Sequence, residues 1–269
     1  MSSRTVSTGT DAFDRRIPFG VVRDTWAIAQ RNLIAYRRVP QLLVFSTIQP
    51  VIFVLMFRYV FGGSIDTGPV PYVDYLMPGI FVQTVVFGSL ATAIGLATDL
   101  KSGLLERFRS LPMTSPAVLA GRTTADLTRN VFVVALMMLV GFLVDWRIHT
   151  NVLGMISGGL LVLLFGFAMS WIFATVGLAV GDPETAQAAA FPVLAPLVFA
   201  SAAFVQVDQM PGWLQPWAGN QPVSVTADAV RALTIGGPTS ALVLKSILWS
   251  VAILAIFVPI SIRLNRRAV

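Results

Sequence analysis

A chain of 269 residues in which 55% are hydrophobic and 12% charged, with a mean hydropathy of +0.76, is too apolar for a water-soluble domain and has the composition of an integral membrane protein. Its net charge of +6 calls for no nucleic-acid partner, because basic residues against anionic membrane lipids account for it. Cysteine is absent, which excludes a disulfide framework and thiol chemistry, and no short apolar core follows the early arginines, which excludes a secretory signal.

Residues 1–20 are rich in Ser and Thr, lack apolar periodicity, and read as a disordered tail. Over residues 21–40 the pattern changes. Val22, Trp26, Ala29, Leu33 and Tyr36 recur at helical spacing, with Arg23, Asp24, Gln30, Arg31, Arg37 and Arg38 on the other side and Pro40 as the stop. This predicts an amphipathic helix at the membrane interface, with Trp26 and Tyr36 at headgroup depth and the arginines facing lipid phosphates. A helix packed on other protein is the alternative.

Residues 41–269 form the membrane domain, an all-α bundle of six spans: 42–61, 75–97, 127–144, 152–180, 186–207 and 246–262. Backbone groups in hydrocarbon must be satisfied within the segment, so each span is helical. Pro50 falls inside the first span, Pro78 opens the second, and Pro192, Pro196 and Pro259 interrupt the fifth and sixth. Such prolines can kink a helix, though proline is also commoner in membrane helices generally. Gly158, Gly159, Gly166, Ser170 and Gly177 give the fourth span small residues for close helix packing.

Basic residues set the orientation. Arg4, Arg15, Arg16, Arg23, Arg31, Arg37 and Arg38 precede the first span, and Lys101, Arg107, Arg109, Arg122 and Arg129 lie between the second and third. Arg263, Arg266 and Arg267 follow the sixth, whereas the other side holds only Arg147, Arg231 and Lys245, with Arg58 near a span end. The bias places both termini in the cytoplasm of a plasma-membrane protein.

Catalytic residues are scarce. His149, the only histidine, sits in a short outer loop, where a solvated side chain is the default reading. Both lysines, Lys101 and Lys245, follow leucine rather than glycine, so a phosphate-cradling G-x-x-x-x-G-K-[ST] loop cannot be built. The span interiors read as almost free of charge, with Asp99, Asp182 and Glu184 at cytoplasmic ends. Transport without an internal coupling charge points to an outside energy source.

The segment from Asp99 to Pro112 stands out. Leu104, Phe108 and Leu111 share one helical face, ringed by Lys101, Glu106, Arg107 and Arg109, and Pro112 stops the helix. A short amphipathic helix on a cytoplasmic loop suits a groove on another protein. Lipid headgroups suit it equally on pattern alone.

Tyr75-Leu-Met-Pro-Gly79 followed by Glu106-Arg-Phe-Arg-Ser-Leu-Pro112 resembles the membrane subunit of type-2 ABC transporters, and most of all the daunorubicin-resistance permeases. Met210-Pro-Gly-Trp-Leu-Gln215, Asn220-Gln-Pro-Val223 and Ala227-Asp-Ala-Val-Arg231 extend the resemblance, in the same order and spacing. It implies that residues 21–40 are a connecting helix. It also implies that residues 99–112 are the coupling helix, docking Leu104, Glu106, Arg107, Phe108, Arg109 and Leu111 on an ATPase subunit, with the turn carrying Asp182 and Glu184 facing the same subunit. Short helices at 211–217 and 222–233 would dip back toward the membrane between spans five and six, with Trp213 and Trp217 at the interface.

The resemblance further implies an exporter permease moving a hydrophobic, drug- or lipid-like compound. A second permease chain and two ATPase subunits would be its partners. ATP and Mg2+ would be held by the ATPase, and no cofactor by this chain. A polysaccharide or lipid exporter of the same family, an ATP-independent channel or carrier, and a lipid-modifying membrane enzyme are the competing readings.

Overall fold

The computed structural model describes residues 30, 41–62, 65, 67, 69–104 and 115–267, and every regular element among them is helical. Helix α1 spans Gln41–Leu55 and continues as a π-helical segment over Met56–Phe61. Then come α2 (Tyr72–Lys101), α3 (Ser115–Leu143), α4 (Val152–Val180) and α5 (Pro183–Phe199). A 3-10 turn at Val207–Gln209 leads to two short helices, α6 (Gln215–Asn220) and α7 (Pro222–Thr234). Helix α8, Thr239–Arg267, closes the described chain. Of the expected tail and amphipathic helix of residues 1–40, Gln30 alone is described, and Trp26 and Tyr36 lie outside the described residues.

Among the described residues, Tyr72–Lys101, Leu119–Leu143, Val152–Val180 and Thr239–Asn265 are long and apolar enough to cross a membrane. The first expected span is represented by a shorter apolar helix, Thr47–Phe61, and the fifth by the 17 residues of α5. The fifth was expected to reach residue 207, but the helix ends at Phe199. Pro192 and Pro196 each remove a backbone donor from α5, and Ala200 leaves the helical region at ψ 45°. Polar side chains then take over the freed backbone: Ala202 N–H donates to Ser224 Oγ at 2.9 Å and Ala203 N–H to Ser201 Oγ at 3.1 Å. Pro78 lies inside α2 rather than opening it, and α2, α3 and α8 all outrun their expected apolar cores.

Helix α2 is the axis of the bundle and packs against α1, α3, α4, α5 and α7. Gly177 meets the Ala93 backbone and Gly166 meets Val85, so these small residues of α4 allow the close approach to α2. Gly79 of α2 likewise lies against the carbonyl of Ala203, where a side chain would not fit. Helix α7 is buried along most of its length, with Gln221 capping its first turn and Pro222 at its start. Gly236 and Gly237 end it at φ 112° and 124°, a backbone that side chains resist.

Candidate functional site

Ion pairs gather the features of one end of the bundle. At the last turns of α2, Arg122 of α3 donates to Asp99 at 2.7 Å, and Lys101 reaches Asp182 at 2.7 Å. Asp182 caps α5, accepting from the backbone N–H and the hydroxyl of Thr185, each at 3.0 Å. The Lys101 ammonium, followed by the two Thr185 donors, holds the Asp182 carboxyl down to about 2. Gly181, at φ 73°, ends α4 in the left-handed conformation and turns the chain directly into that cap. Glu184 is exposed in the first turn of α5.

The base of the expected coupling helix and the turn between α4 and α5 are therefore joined by a direct side-chain contact. Leu104 is half-buried beside them. Glu106, Arg107, Phe108, Arg109 and Leu111 lie outside the described residues. Lys101 and Asp182 are solvent-facing, so their pairing fixes geometry more than it adds stability.

A second feature is an aromatic wall on α1, α2 and the end of α5. Phe57 stacks on Phe204 with centroids 4.5 Å apart and planes at 8°. Phe53 stacks on Phe204 at 6.0 Å, and Phe199 contacts Phe53, Phe87 and Phe204 at 6.2–6.4 Å. Phe204 is buried, but Phe199 is 51% exposed, so the wall has an open edge.

The opposite end holds two further polar clusters. His149 stays in its loop with a side chain 44% exposed, as expected, but it is also paired: its Nε2 lies 2.7 Å from Oδ2 of Asp74, whose other oxygen accepts from the Arg147 N–H at 2.8 Å. Arg231 is buried, with its guanidinium 3.6 Å over the Tyr75 ring. It donates to the carbonyls of Tyr75 and Ala203 at 2.8 and 3.0 Å and to Asp228 at 2.7 Å. Trp213 and Trp217 lie on the surface near α6, 80% and 41% exposed.

The bundle interior is not free of charge. Asp74, Asp126, Arg129 and Arg231 are all buried, and Arg122, left outside the spans by apolar content alone, belongs to α3. The sequence held a signal for two of these sites. Ala-Asp-x-x-Arg occurs at residues 125–129 and again at 227–231, and the i,i+3 spacing puts acid and base on one helical face. The pairing of Asp74 with His149 bridges a long sequence gap and left no such signal.

Comparison with known proteins agrees with this architecture. The family model described as ABC-2 type transporter matches residues 23–235. The daunorubicin resistance ABC transporter permease protein DrrB1 of Streptomyces coeruleorubidus is 36% identical over 236 residues, 88% of this chain and 83% of that one. The doxorubicin resistance ABC transporter permease protein DrrB of Mycobacterium tuberculosis is 27% identical over 232 residues, 77% of this chain and 79% of that one. A helical bundle with membrane-length apolar helices, matched by this model over most of its length, is a membrane permease of the ABC-2 type transporter family.

Proposed function

We propose that this chain is the permease half of an exporter that moves a flat, hydrophobic compound across the plasma membrane, driven by ATP hydrolysis in a separate subunit. The observation that carries the reading is the clasp of Asp99, Arg122, Lys101 and Asp182. It joins the base of the loop helix to the turn between α4 and α5, so a partner pressing on either segment moves both. The partner is an ATPase present in two copies, which holds ATP and Mg2+, and a second permease chain completes the pathway. This chain supplies no catalytic group and binds no cofactor of its own.

The aromatic wall supports a planar apolar cargo, because stacked phenyl faces with an open edge offer contact area without a fixed polar pattern. The relatives named for daunorubicin and doxorubicin resistance make an anthracycline the natural probe. The exposed faces of α1 and α5, including Ile48, Ile52, Leu55, Phe191 and Val193, suit the second permease chain. Ion-coupled carriage is the second reading, since Asp74 and Asp126 are buried carboxylates of the kind carriers use. Asp74, however, is held by His149 and Arg147, and Asp126 accepts from Thr92.

The test is co-purification with the candidate ATPase. Phe108→Ala should weaken assembly by about 2 kcal/mol, roughly 30-fold in Kd, if the aromatic anchors the loop helix in a groove. Undiminished binding by this variant, with normal transport, would leave the loop helix as a lipid-facing element. Orientation is checked separately in this cysteine-free chain. A cysteine at Gln209 should react with an impermeant reagent from outside intact cells, and one at Ser3 or Ala268 should not.

A further inference from the structure

Along α2, Gly88, Thr92, Gly95 and Asp99 recur at spacings of four, three and four residues, which places them in one row on the helix surface. Helix α3 runs antiparallel beside that row, and Arg129, Asp126 and Arg122 meet it in reverse order. Arg129 Nη2 donates to the Gly88 carbonyl at 2.6 Å. The Thr92 hydroxyl donates to Asp126 at 2.6 Å, and Arg122 Nη1 donates to Asp99 at 2.7 Å. The glycines are the notches of this ladder. A Cβ on Gly88 would come within 3.0 Å of the Arg129 guanidinium, and one on Gly95 would overlap Nη2 of Arg122. Each guanidinium therefore occupies space that a side chain on α2 would fill. The ladder begins at the last turn of α2 and ends near the middle of that helix.

We propose that this ladder clamps α2 and α3 into one rigid lever and that Arg122 is a positioning residue for transport. It makes a displacement of the loop between the two helices carry both of them together, instead of splaying their ends. The proposal rests on the reading that an ATPase acts on that loop. The physical reason is that helices in lipid gain little from apolar contact alone, because the surrounding tails are as apolar as the side chains. A buried charged row is different. Sliding or opening it takes Arg129 from the Gly88 carbonyl and Asp126 from the Thr92 hydroxyl inside the bundle, where a charged group that loses a hydrogen bond is costly. Arg122 closes the ladder at the end where force enters.

Two measurements decide it. Thr98 and Thr128 are exposed on α2 and α3, and both can be replaced by spin-labelled cysteines in this cysteine-free chain. In the permease alone, in lipid nanodiscs, the two labels should give one narrow distance distribution. Arg122→Lys should keep it, whereas Arg122→Gln, which removes the charge, and Gly95→Leu, which evicts the guanidinium, should broaden it. An equally narrow distribution in both disruptive variants overturns the clamp.

The second measurement uses proteoliposomes holding the complete complex with its ATPase and daunorubicin as the probe. Arg122→Gln and Gly95→Leu should lower daunorubicin moved per ATP hydrolysed about tenfold, with hydrolysis itself within about twofold of wild type. Arg122→Lys should restore the ratio to within about threefold. An unchanged ratio, or a parallel loss of hydrolysis and transport, overturns the positioning role. Wild-type transport that ignores ATP would instead contradict the ATPase reading, and the label distances would then decide the clamp alone.

Discussion

Arg231 illustrates how much a single side chain can hold in a bundle of this kind. It bonds the backbone of α2 at Tyr75, the turn after α5 at Ala203, and Asp228 on its own helix. Arg231→Ala would leave two carbonyls and a carboxylate without their donor, so a loss of about 3 kcal/mol or more is expected. Arg231→Lys should not recover it, since a point ammonium cannot span three acceptors. Thermal unfolding of the detergent-solubilised variants is the check. Asp182 behaves differently. Its carboxyl is held below the ordinary 3.8, down to about 2. The stabilising contribution is therefore complete above the ordinary value and is lost only as pH falls toward about 2. The stability difference between wild type and Asp182→Asn should stay constant from pH 5 to pH 8. A difference that shrinks within this window would show that the pairing with Lys101 and Thr185 does not persist in the membrane.

At the scale of elements, the aromatic wall joins α1, α2 and α5 where the α5 helix breaks. Phe57→Ala should raise the KM for daunorubicin about fivefold, corresponding to roughly 1 kcal/mol of lost stacking. Phe132→Ala, on an exposed face of α3, should leave it unchanged. Rates of daunorubicin uptake across a concentration series distinguish the two. The elements also show where sequence pattern was sufficient. Apolar length located α2, α3, α4 and α8, and Pro222 with Gly236 and Gly237 marked the limits of α7. Pattern failed at Phe199, because apolar composition continues past the residue where two prolines and Ser224 end the helix. It also left Arg122 outside the spans, since hydropathy cannot see that a glycine notch on the neighbouring helix accommodates it.

At the scale of the whole molecule, the ion pairs among the described residues concentrate at the two ends and along the seam between α2 and α3. The wall of phenyl rings lies on a different side of α2. Family membership was legible in the order of short motifs along the chain, and the comparisons bear it out. The contacts that would transmit force were not legible, because Lys101 meets Asp182 across 81 residues and no local pattern announces such a pair.

The central claim is that this chain carries the pathway while another supplies the energy. Daunorubicin uptake into inverted membrane vesicles, with the permease paired either to its intact ATPase or to one unable to hydrolyse ATP, tests it most directly. The account predicts uptake that requires ATP and the intact partner, falls to background with the inactive one, and is absent when the permease is present alone. Uptake of equal rate and extent with the inactive ATPase, or with none, would contradict it and leave a channel or an ion-coupled carrier in its place.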